Sequence, residues 1–256
     1  MPVDQNRTRD GKYTFTVHRQ AAVTFSDLDE GPSSSSASIS PTAEIRQGAV
    51  VRNTRLEDRV LVGAYANLMG STIGFKSRIG AHSSVVGSTI NDDVRILDHT
   101  SVSDSFVCGE AMVGGFVSLQ GTTVGPESTL AGHSLIKDSN IGRDVSIHDL
   151  CDVQGATIGD EVSISSQVTI ERGAEIGSHS RVGESSHIGQ NVHIGRGSWL
   201  AAGVTVDNDA WIGDFVIVGA GSRIGARSRV AGHSKIGIND NIEPDTTVVS
   251  SVGFDD

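Results

Sequence analysis

The sequence repeats itself at a fixed short period, and this limits the fold more than any other feature in it. From Ile39 the chain divides into units of 17 residues, each split six-six-five, and from Ile158 into units of 18 residues split into three sixes. Two units stand in full between Val124 and Thr157: VGPEST, LAGHSL and IKDSN, then IGRDVS, IHDLCD and VQGAT. There are twelve units, and all 36 block-opening positions are Ile, Leu or Val. In the six-residue blocks a small or β-branched residue follows the opener by four positions, as at Ser128, Ser134, Val145 and Cys151. In the five-residue blocks it follows by three, at Ser139 and Ala156.

A unit this short cannot bury a face alone, so successive units must stack and share a continuous core. If each block is a short strand and a corner, the opener and the small residue both point inward. Three strands per unit make a triangular coil. The expected fold is therefore all-β, a parallel β-helix of about twelve triangular coils over 39–247, about 58 Å long at a rise of about 4.8 Å per coil. Position two of the block is Gly in 15 of 36 cases, which predicts positive φ at that corner position. Where the unit lengthens at Ile158, the edge carrying Thr72, Thr89, Thr123 and Thr157 should give way to a wider corner at Gly173, Asn191 and Asp209. The interior should pass unbroken from Ser139 and Ala156 to Ala174 and Val192. Deleting Gly173 should then restore the shorter coil, and deleting inward Val168 should break it.

Residues 1–38 lie outside the frame. Tyr13, Phe15 and Val17 alternate with polar residues as in a short strand, a candidate cover for the first coil's open edge, and Gly31 to Ser38 reads as a flexible linker. At the other end, Asp240 falls on an inward position and predicts a splayed final coil. In the tail, 248–256, Val248, Val249 and Phe254 are candidates to fold over the open end. Cys151 is inward and Cys108 sits at a corner two coils earlier, about 10 Å away by coil rise, too far for a disulfide.

The net charge of −11, with no run of Lys or Arg, argues against a nucleic-acid or anionic-membrane partner. No apolar run approaches transmembrane length, and a cytoplasmic protein is expected.

A constant period also maps the surface, because residues 17 apart become neighbours in adjacent coils. One ridge carries Tyr65, His82, His99, Phe116, His133 and Leu150, and its histidines are either general bases or a stacked ladder and contact surface. A second carries Arg59, Lys76 and then Asp93, Glu110, Glu127, Asp144 and Glu161. Those five carboxylates are either a hard-cation site or a solvated ridge, and no metal is expected. Trp199 and Trp211, both outward, are a trimer interface or a ligand platform.

The repeat [Ile/Leu/Val]-Gly-x-x-[small]-x resembles that of the hexapeptide-repeat acyltransferase superfamily, whose members are left-handed parallel β-helices that assemble as homotrimers. The hand and the trimer are implied by that resemblance alone, since crossovers are otherwise right-handed. The coil phase is most similar to the acetyltransferase half of N-acetylglucosamine-1-phosphate uridyltransferases, around Gly114-Gly115-Phe116-Val117 and Ala131-Gly132-His133. By that phase their catalytic His falls on Gly132, their substrate Lys on Gln120 and their Tyr on Leu135, so that specific activity is not carried over. The zinc-His pattern of the γ-class carbonic anhydrases in this superfamily has no counterpart. The resemblance implies acyl transfer from acetyl-CoA or another acyl-CoA to a small hydroxyl or amine acceptor, with His133 as base and His99 and His82 as fallbacks. The alternative is a non-catalytic β-helical scaffold or binding module, a reading that the absence of any inserted loop favours.

Overall fold

The computed structural model describes the backbone of 5–7 and 13–15 and all of 37–249. Over 38–248 the chain is built from strands of two or three residues, and there is no helix among the described residues. The strands stack into three parallel sheets of 13, 12 and 12 strands, which form the faces of a prism. The first sheet runs from Ser38–Ile39 to Thr247–Val248, the second from Glu44–Ile45 to Lys235–Ile236, and the third from Val50–Arg52 to Asn241–Ile242. Every pairing joins a strand to its equivalent one coil on, with openers in register, for example Val124↔Ile141 and Leu130↔Ile147. The result is a β-solenoid of about twelve turns, and its three-sheet coil is consistent with the left-handed β-helix.

The core is the stack of openers and small residues. Ile73, Ile90, Val107, Val124 and Ile141 are all essentially inaccessible, as are their equivalents on the other two faces. Buried hydroxyls fill the corners and, apart from that of Ser234 in the last coil, are satisfied between coils. In the third corner Thr54, Ser71, Ser88, Ser105, Thr122 and Ser139 form a ladder. Each accepts the backbone N–H one coil on, as Ser88 Oγ does from Ser105 N at 3.1 Å, and donates to a carbonyl two residues back. Burying six hydroxyls costs little when each is paired.

The frame change occurs where expected. In the 17-residue coils the third-face strands have three residues, as in Asp152–Gln154, and one left-handed residue turns the corner at Gly121, Asp138 or Gly155. In the 18-residue coils the strands shorten to two, as in Thr169–Ile170, and the left-handed residue moves to Gly173, Asn191 and Asp209. Ser139, Ala156, Ala174 and Val192 are all buried, so the interior continues unbroken.

Three expectations are corrected. The glycines at position two do not have positive φ: Gly125, Gly142, Gly159, Gly177 and Gly195 are all absent from the left-handed region. They are needed for room. An ideal Cβ at Gly125 falls 2.5 Å from the carbonyl carbon of Gly142, and one at Gly177 falls 2.5 Å from the backbone nitrogen of Arg196. Positive φ belongs instead to position four, which is filled by residues such as Glu127 (62°) and His133 (57°). Second, the final coil does not splay at Asp240. Arg223 N donates to the Asp240 carbonyl at 2.9 Å, and Arg223↔Asn241 keeps register. The carboxylate turns out into the corner, where its Oδ2 accepts the Gly237 N–H at 2.7 Å. That N–H would otherwise seek a carbonyl on a further coil. Third, Val248 does not fold over the end but extends the first sheet by pairing with Val230, and Val249 is 74% exposed. Phe254, Val17 and most of the linker lie outside the described residues. The Tyr13–Phe15 strand exists but pairs antiparallel with Gln5–Arg7 in a two-stranded sheet of its own, not with the first coil.

Candidate functional site

The second-corner ridge is a continuous stack of rings. Tyr65–His82, His82–His99, His99–Phe116 and Phe116–His133 have centroids 5.1, 5.0, 4.8 and 4.9 Å apart and interplanar angles of at most 15°. Backbone geometry sets this spacing. Each ladder residue is left-handed, which reverses its N–H to donate to the corner carbonyl of the preceding coil: His99 N to Ala81 O at 2.9 Å, His133 N to Gly115 O at 3.1 Å. The rings therefore repeat at the coil pitch, and Tyr65 and Phe116 stay more than half exposed. His133 ends the stack, with Phe116 on one side and Leu150 next along the ridge. The structure thus brings His82, His99 and His133 into one line. Among the described residues none of their ring nitrogens has a hydrogen-bond partner, so no carboxylate orients them.

The acidic ridge lies on the first corner, at the other edge of the second face. Asp93, Glu110, Glu127, Asp144 and Glu161 are again left-handed residues in successive coils. Lys76 Nζ lies 3.8 Å from Asp93 at one end, and His179 Nδ1 lies 3.0 Å from Glu161 at the other. Among the described residues no group of three or more His, Cys, Asp or Glu is placed to hold a metal ion. Trp199 and Trp211 do not form one platform. Trp199 pairs between Arg181 and Ile217 on the second face, and Trp211 pairs between His193 and Arg229 on the first, with its ring stacked on His193 at 5.8 Å. Cys108 and Cys151 are free, as their separation required, and burial pushes both thiols up.

Two features are absent from the reading of the sequence. Asp or Asn at position three accepts the corner N–H of the preceding coil, as Asp98 does from Ala81 at 2.7 Å and Asp160 does from Arg143 at 2.8 Å. The second is a basic cluster. An open depression of about 840 Å³ on the second face is lined by Arg59, Lys76, Arg78 and Arg95 together with Leu61 and Met112. These cations never form a run in sequence, yet coil stacking gathers them, and their spacing by 17 was the signal available.

The sequence repeat, the three parallel sheets and the inward openers are three views of one architecture. The chain is a β-solenoid built on short repeated blocks of five or six residues. Residues 158–253 of the chain match the family model of the GMPPB C-terminal domain. No curated protein sequence matches the chain. Among solved structures, the solenoid is similar to a UDP-N-acetylglucosamine acyltransferase from Campylobacter jejuni, with 18% identity and TM-score 0.39, over 68% of this chain and 66% of that one. It is also similar to the UDP-N-acetylglucosamine acyltransferase LpxA from Bacteroides fragilis, with 15% identity and TM-score 0.35, over 77% and 68% of the two chains. These likenesses concern the coil and carry no activity to this solenoid. No helix among the described residues is long and apolar enough to cross a membrane.

Proposed function

We propose that the solenoid is an acyl-CoA-dependent acyltransferase in which His133 deprotonates a small hydroxyl or amine acceptor. The observation that carries this reading is the exposed ring ladder, which holds His133 at its end with apolar Phe116 on one face. An imidazole so placed can take the acceptor's proton as that oxygen or nitrogen attacks the thioester carbonyl, and CoA leaves as the thiol. His99 and His82 are the next candidates along the same line. In a homotrimer the groove between neighbouring rods would hold acetyl-CoA or another acyl-CoA, and long contacts to the carrier would position the thioester. Dependence on acyl-CoA fits a cytoplasmic protein.

A second reading, a non-catalytic scaffold, is favoured by one specific observation: the three histidines lack an orienting partner among the described residues. A thermal-shift titration with acetyl-CoA and CoA separates the two, because a ligand that binds only the folded state must raise Tm. The acyltransferase reading expects a rise of several degrees at millimolar ligand. It also expects His133→Ala to lose at least about 100-fold in turnover at unchanged Tm. No shift at that concentration, or full turnover in the variant, would overturn it.

A further inference from the structure

We infer that the depression on the second face, in the first to fifth coils, binds the phosphate or diphosphate group of a small molecule. Arg78 and Arg95 are outward residues in direct register on that face, one coil apart. Like charges directly opposite on a sheet repel, and neither guanidinium has an ion pair or hydrogen bond among the described residues to relieve it. Some arginines of the solenoid are paired, as Arg227 is with Asp245 at 2.7 Å and Arg223 with Asp207 at 2.8 Å, and others such as Arg181 and Arg229 are not, but among the described residues only Arg78 and Arg95 face each other as two arginines in register. An anion bound between two such guanidinium groups would relieve their repulsion.

The rim adds to the same field. Arg59 and Lys76 stand on the first corner in adjacent coils, and both lie over the ring of Phe75, at 5.7 and 4.8 Å from its centroid, which holds them beside the depression. The row along the floor is Leu61, Arg78, Arg95, Met112, so the two arginines are bracketed by apolar side chains. Three carboxylates also line the depression, Glu44, Asp93 and Glu110. Asp93 is engaged by Lys76, and Glu44 and Glu110 stand at the two ends, so they repel an anion from the ends and leave the middle favoured. Two guanidinium groups carried on neighbouring strands about 4.8 Å apart suit phosphoryl oxygens, because the two can converge on one phosphate or take one phosphate each of a diphosphate. Leu61 or Met112 can then contact an apolar or planar group attached to it. This site stands on Arg78 and Arg95 and does not require acyl transfer.

Calorimetric titration of the full chain with inorganic pyrophosphate, ADP and sulfate tests the site. Pyrophosphate and ADP should both bind at least tenfold more tightly than sulfate. Arg78→Ala/Arg95→Ala should lose at least tenfold in affinity for both, whereas Arg229→Ala, on another face, should bind as the parent does. ADP binding more tightly than pyrophosphate identifies a nucleotide-like ligand, and equal affinities identify the diphosphate itself, either of which supports the site. Without ligand, the double variant should melt no lower than the parent, which shows that it folds and that the pair was repulsive. Pyrophosphate binding no better than sulfate, or undiminished binding by the folded double variant, overturns the inference and leaves the acyltransfer reading as it was.

Discussion

A corner of this solenoid asks opposite things of neighbouring residues. At Gly125 the backbone is ordinary but a Cβ has no room beneath the next coil, whereas at Glu127 there is room but φ is 62°. Gly125→Ala should therefore cost about 1–3 kcal/mol through forced separation of two coils. Glu127→Gly should change stability by less than about 1 kcal/mol, since relief of left-handed strain is offset by a more flexible unfolded chain. Chemical denaturation of the two variants checks this, and equal losses would refute the assignment of crowding to one position and torsion to the other. The sequence shows where glycine recurs but not why. Recurrent Gly suggests torsion, and only the distance to the next coil reveals crowding. The same blindness applies to the left-handed positions, because Tyr65, His82 and Glu127 carry no local mark of positive φ.

At the scale of the coil, the change from 17 to 18 residues adds one residue to the third corner and nothing to the interior. Gly173 keeps the left-handed role of Gly155, and its N–H donates to the Gly155 carbonyl at 2.9 Å. The deletion that best restores the short coil is thus Arg172 rather than Gly173. It leaves Ile170-Glu171-Gly173-Ala174-Glu175, which matches Val153-Gln154-Gly155-Ala156-Thr157 position for position. We expect the Arg172 deletion to melt within a few degrees of the parent. Deleting Val168, which is fully buried, should cost more than about 4 kcal/mol by turning openers outward. Similar melting temperatures for the two deletions would mean that the frame is misassigned. The frame itself was legible because aliphatic openers at a constant interval leave no other register in which all of them are buried.

At the scale of the whole molecule, each coil is held only by its neighbours, so stability should vary along the rod. Among the described residues no further coil covers the far side of the last one. The Ser234 hydroxyl is buried without a partner among the described residues, the Gly237 N–H is capped by Asp240 instead of by backbone, and Ile242 and Val248 are only partly covered. Native-state hydrogen exchange should therefore show protection falling towards Asn241–Ile242 and Thr247–Val248, and Asp240→Ala should steepen that fall without altering exchange near Val145. Uniform protection from end to end would contradict the nearest-neighbour account. The sequence by itself determined the coil count, the inward residues, the point of frame change and the rows of residues that share a ridge, because all of these follow from a period and from the burial of aliphatic side chains. Only the tertiary structure decided which rows face each other across a surface. It turned the five rings near-parallel to one another and brought Arg59 and Lys76 beside Arg78 and Arg95. The period says what stacks along the rod, but the direction in which each face points depends on how three corners turn the chain through space.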